Sequence, residues 1–175
     1  TGYIWYRMGI SHPVFATAKG KTLAALVHPL ESWAEKYVGG SMRTTLKQRH
    51  SMLDTHLQSL IEQHPDLQVL EIACGLSPRG WWFRQHYPTI RYRERDLPDM
   101  AATKQAALQQ IEPNVEDILS VDLFTDAFAE AFKVFDPTRP LVIISEGLIN
   151  YFDKPLLQQL VQAIASYGRD FKELH

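Results

Sequence analysis

Between Val69 and Gly80 the sequence reads VLEIACGLSPRG, and Asp96 stands 21 residues beyond Gly75. Val69, Leu70 and Ile72 form the short apolar run expected of a strand covered on both faces. Gly75 and Gly80 then let the backbone turn sharply and come close to a ligand. A second segment, YRERDLP, places Glu94 and Asp96 at the end of another strand. In doubly wound α/β sheets, ligands bind outside the carboxyl ends of the strands. An acid at the end of the second strand can hold a ribose diol through two hydrogen bonds. The chemistry these residues suit is therefore the grip on a nucleoside cofactor.

The glycine spacing narrows the choice. A dinucleotide loop needs G-x-G-x-x-G so that a pyrophosphate can rest on a helix N-terminus, but the matching positions here are Ala73, Gly75 and Pro78. Proline has no backbone N–H to offer a phosphate. The frame that fits is E-x-A-x-G-x-x-x-x-G, from Glu71 to Gly80, a degenerate form of the loop that binds S-adenosylmethionine. That ligand presents a carboxylate, an ammonium, a sulfonium and a ribose, and no phosphate. Arg79 is the wrong residue for a sulfonium and a good one for a carboxylate or an acidic neighbour.

Two further strand ends repeat the pattern. The stretch LVIISEGLINYFD (141–153) reads as a buried strand ending in Ser145, Glu146 and Gly147, with Asp153 as a helix cap and Pro155 in the first helical turn. Asp122 follows the apolar stretch Ile118 to Val121, where its carboxylate can accept from an amino group. Together these segments resemble the leucine carboxyl methyltransferase family and related bacterial S-adenosylmethionine-dependent O-methyltransferases, from about Lys47 to Tyr167. The resemblance implies Gly75 against the cofactor backbone, Asp96 on the ribose, and Asp122 with Leu123 beside the adenine. It also implies Arg49, in LKQRHSMLDTHL, on the methionyl carboxylate and Glu146 on the methionyl side. With Glu71, Arg79 and Glu94 from the loop and second strand, these are the candidate cofactor-binding residues. The family often has an acid after the loop leucine, where this chain has Ser77 and Pro78.

Each residue also has a plainer reading. Glu71, Glu94 and Glu146 could cap helices or sit in surface pairs. Asp122 could cap the helix expected at FTDAFAEAFKVF, and Arg49 could lie on a solvated helix face. Cys74, the single cysteine, reads as a small buried side chain and suits a reducing compartment. Seven histidines show no paired metal spacing; His50 and His56 are six apart, so they do not share a helical face. No metal is expected.

The 175 residues, 45% hydrophobic, with 18 basic against 20 acidic side chains, suffice for one domain with its own core. The balanced charge argues against a nucleic-acid partner. No apolar run is long enough to cross a membrane, so a cytoplasmic protein is expected. Residues 1–64 are expected to form an N-terminal helical cap, with helices over 13–38, broken near His28 and Pro29, and over 44–63. Residues 65–175 form the core. Strands at 68–73, 90–95, 116–121 and 141–145 alternate with helices near 80–87, 98–111, 125–135 and 153–167. That order predicts an α/β, Rossmann-like methyltransferase sheet, mostly parallel with helices on both faces.

The methyltransferase fold has seven strands, against four here and the start of a fifth near Phe171. This suggests a chain truncated after the fourth or fifth strand, with an edge that could pair in a homo-oligomer. The expected reaction is methyl transfer to an oxygen, carboxylate or hydroxyl, of a small-molecule or carboxyl-terminal acceptor. Tyr3, Tyr6, His12 and Tyr151 are acceptor-side candidates without an assigned catalytic role. The alternatives are a non-catalytic or truncated S-adenosylmethionine-binding module, or an NAD-dependent oxidoreductase, for which the third glycine is missing.

Overall fold

The computed structural model describes residues 2–18, 22, 42–115 and 118–175. Its centre is β1 (Gln68–Ile72), buried at every position because Val69, Leu70 and Ile72 put apolar side chains on both faces. β1 pairs in parallel with β2 (Arg91–Asp96) on one side and β4 (Leu141–Ser145) on the other, and β3 (Leu119–Ser120) extends the sheet beyond β2. The order β3-β2-β1-β4 is all parallel, the arrangement of a Rossmann-like α/β fold. Beyond β4, Glu173–His175 begins a fifth strand position. Leu141 N donates to Glu173 O, His175 N to Leu141 O and Ile143 N to His175 O, each at 2.9–3.0 Å.

Helices α2 (Met42–Gln63) and α3 (Arg79–His86) cover one face, where Leu57, Leu60, Ile61 and Phe83 meet Val69, Tyr92, Val142 and Ile144. On the other face α5 (Lys154–Tyr167) and the segment before β4 bring Leu160, Phe128, Phe132 and Phe135 against Leu70, Ile72 and Leu141. Asp153 caps α5 by accepting from Leu156 N, and Pro155 stands in its first turn, as their residue types predict. α4 (Pro98–Leu108) packs with Phe15 from the N-terminal segment, which begins with the short helix α1 (Gly2–Arg7). No helix among the described residues is long and apolar enough to cross a membrane.

Some expected elements change. Residues 125–135 form a 3₁₀ segment, Asp126–Ala131, then turns, rather than an α-helix. Phe128, Ala131, Phe132 and Phe135 must all be buried, and ring packing against Tyr167 and Phe171 overrides helical propensity there. β3 is shorter than expected. Ile118 N is taken by the Gln105 side chain of α4 at 2.8 Å, so the ladder starts only at Leu119, and residues 116–117 lie outside the described residues. Of the helix expected over 13–38, residues 13–15 form a 3₁₀ turn and nearly all the rest lies outside the described residues.

Candidate functional site

The strand order reverses between β1 and β4, and at such a switch point the loops leaving the two strands diverge and open a crevice. In the loop after β1, Ala73 and Gly75 both adopt left-handed backbone, φ +50° and +52°. For alanine that conformation is strained, while Gly75 adopts it freely. Nothing lies within 4 Å of where a Cβ on Gly75 would stand, so the loop backbone there faces open space.

Asp96 ends β2 beside this loop. Its Oδ2 accepts from Gly75 N at 2.6 Å and its Oδ1 from Leu97 N at 2.8 Å. A carboxylate has roughly four acceptor positions, and two are taken here. Val121 N donates to Asp96 O, which aligns the end of β3 and sets Asp122 one strand further along. Asp122 is exposed, its Oδ1 accepting from Phe124 N at 3.0 Å in a local turn, and the adjoining Leu123 packs on the α5-side core.

Past β4, the side chain of Glu146 is 4% exposed and meets two guanidinium groups and an imidazole. It accepts from Arg49 Nε at 3.0 Å and Arg79 Nη2 at 2.7 Å, and His50 Nδ1 stands 2.9 Å from its Oε2. Burial alone would raise its pKa. The contacts with His50 and Arg79 outweigh that and hold it at about 2. Arg79 is fully buried and also donates to Asp54 Oδ1 at 2.5 Å and Glu71 Oε1 at 3.1 Å, while Tyr92 donates to Glu71 Oε2 at 2.7 Å. One guanidinium thus binds three carboxylates from α2, β1 and the loop after β4. Arg49 is 39% exposed and lies beside Gly147, whose φ is +81° and whose Cβ would sit 3.5 Å from Arg49 Nη2. Its Nε holds Glu146 and its outer face remains accessible.

Glu94 lies apart, under Gly80. It forms an ion pair with Lys104 and accepts from Arg84 Nη1 at 2.8 Å, and Arg84 also grips Glu112 through two nitrogens. Burial opposes ionisation of Glu94, yet Lys104 and Arg84 pull its pKa below the ordinary value. Burial pushes the Cys74 thiol well up, which keeps it protonated and inert.

The structure therefore gathers Arg49, Glu71, Arg79 and Glu146 into one network, sets Gly75, Asp96, Asp122 and Leu123 along the strand tips, and leaves Glu94 in a separate buried cluster. Glu71, Arg79 and Glu94 are each at most 2% exposed, with their polar groups directed to protein partners. His50 and Asp54 join the first network without having been anticipated. Their i, i+4 spacing on α2 next to Arg49 is the signal that could have found them. Tyr151 is 82% exposed, and His12 accepts from Val14 N and packs edge-on against Trp81. α1 crosses the loop after β1, with Gly2 against Leu76 and Trp5 on the His50 ring at 5.1 Å.

The family model described as leucine carboxyl methyltransferase matches residues 12–165. Provisionally named S-adenosyl-L-methionine-dependent methyltransferases are similar to part of the chain. That of Mycolicibacterium smegmatis is 35% identical over 103 residues, 57% of this chain and 33% of the relative. That of Mycobacterium bovis is 35% identical over 104 residues, covering 57% and 29%, and that of Mycobacterium avium 33% over 102, covering 55% and 32%. The matched segment spans about a third of the length of these relatives.

Proposed function

The chain belongs to the leucine carboxyl methyltransferase family, and from that premise we propose that it binds S-adenosylmethionine at the strand tips and serves methyl transfer to an acceptor oxygen. The reading rests first on Asp96, a carboxylate held by the N–H of the very loop that must approach the ligand, with acceptor positions left for a ribose diol. The donor set suits the rest of the molecule. Arg49 offers a guanidinium for the carboxylate, Gly75 an open backbone, Asp122 and Leu123 an acceptor and an apolar surface for the adenine, and Glu146 a carboxylate near the ammonium. Rather than touching the ligand, Glu71 and Arg79 act behind these groups, fixing Glu146, while Glu94 ties α3 to α4. Pro78, without an N–H, stands where a dinucleotide loop carries its third glycine, which argues against a dinucleotide.

When bound, S-adenosylmethionine supplies a methyl group on a sulfonium that is already electrophilic. The protein's part is to orient and to exclude water. Arg49 and Asp96 pin two ends of the ligand, and the α1 segment over the loop limits solvent access. A carboxylate acceptor needs no base, whereas a hydroxyl acceptor requires one within hydrogen-bond reach. Calorimetry with S-adenosylmethionine, S-adenosylhomocysteine and NAD tests the reading. Binding of the first two is expected, and Asp96→Ala should weaken it by about 1–3 kcal/mol, the cost of an unpaired hydrogen-bonding group. Unchanged affinity would refute the ribose assignment. Binding of NAD alone would refute the cofactor. Binding without turnover of carboxylic or phenolic acceptors would support a binding module instead.

A further inference from the structure

At the end of the sheet opposite the cofactor loops, His64, Glu173 and His175 converge. The Nε2 atoms of His64 and His175 each lie 3.6 Å from Glu173 Oε2, and one ligand atom from each residue falls within 4.8 Å of the others. We propose that these three side chains form a binding site for a divalent transition ion of the zinc class.

The fold builds this convergence from backbone that is already fixed. Glu173 and His175 are two apart on an extended segment pinned to β4 by three hydrogen bonds, so they project to the same face of the sheet. Leu174 points the other way, against Gly168 at the end of α5. His64 closes α2, its N–H bonded to Leu60 O, and Pro65 stops the helix there. Since β1 and β4 are neighbours, the turn from α2 into β1 delivers His64 beside the fifth strand position.

The geometry and donor types select the ion. Two ligand atoms bound at 2.0–2.2 Å to a tetrahedral centre lie about 3.4 Å apart, close to the 3.6 Å observed between each imidazole and the carboxylate. Two imidazoles and one carboxylate suit zinc, cobalt or nickel. Calcium and magnesium prefer oxygen throughout. The side chains are 24%, 42% and 33% exposed, so the ion can enter from solvent and keep water in its fourth position. A bound ion would clasp the end of α2 to the fifth strand.

The test is calorimetric titration of the chain, free of any polyhistidine tag, with Zn²⁺ alone, alongside visible spectroscopy with Co²⁺. One ion per chain and the intense bands of tetrahedral Co²⁺ are expected. His64→Ala and His175→Gln should each weaken Zn²⁺ binding by at least about 10-fold and remove the bands. His175→Gln changes a partly exposed side chain outside the hydrophobic clusters, so it reports even if His64→Ala fails to fold. Absence of binding, or binding undiminished in His175→Gln, would overturn the site.

Discussion

Arg79 shows how a single residue type acquires its meaning from neighbours. The sequence argues that a guanidinium in this loop suits a carboxylate or an acidic neighbour. In the fold it meets Asp54, Glu71 and Glu146 at once and is sealed from water. Burial disfavours its charge, but Glu71 and Tyr92, with Asp54, reverse the balance and raise its pKa above the ordinary value. Removing one member of a buried ionic set strands the others. Arg79→Met is expected to destabilise the protein by about 3–5 kcal/mol in urea denaturation. A loss below about 1 kcal/mol would show that the three carboxylates do not depend on it. Asp54 was not legible as part of this set, because nothing local tells whether a helical acid faces solvent or a distant strand.

At the scale of elements, α3 sits on β2 through Gly80. A Cβ at that position would stand 2.6 Å from both Glu94 oxygens, so the helix can lie this close only without a side chain. The glycine that reads in sequence as part of a ligand loop also lets a buried carboxylate reach Lys104 of α4 and Arg84 of α3. Gly80→Ala must displace Glu94 or lift the helix, and a loss of several kcal/mol is expected, comparable to breaking the ion pairs themselves. Retention of wild-type stability by thermal unfolding would mean that Glu94 moves without cost. The charged strand YRERD is the trace this arrangement leaves in the sequence. Only the packing of α3 and α4 identifies the ionic partners of Glu94.

Over the whole molecule, the two ionic networks tie α2, α3, α4, β1, β2 and the loop after β4 into one acid-sensitive unit. The folded-state pKa of Glu146 is depressed from the ordinary 4.5 to about 2. Its stabilising contribution is therefore complete above about 4.5 and is lost as the pH falls toward about 2. Glu94, also depressed, acts in the same direction. Melting temperature should drop through that window, and Glu146→Gln should flatten the fall; identical acid profiles for variant and wild type would contradict the assignment. The succession of the four strands, the buried centre at β1 and the cap at Asp153 were readable from the chain, because apolar periodicity and turn chemistry are local properties, and the resemblance of its motifs pointed to the family. The 3₁₀ path from Asp126, the brevity of β3, the partners of Arg79 and Glu94, and the meeting of His64 with Glu173 and His175 were decided by tertiary structure. Each depends on which surfaces come together across the sheet, and residues far apart along the chain carry no sign of that until the strands have set their order.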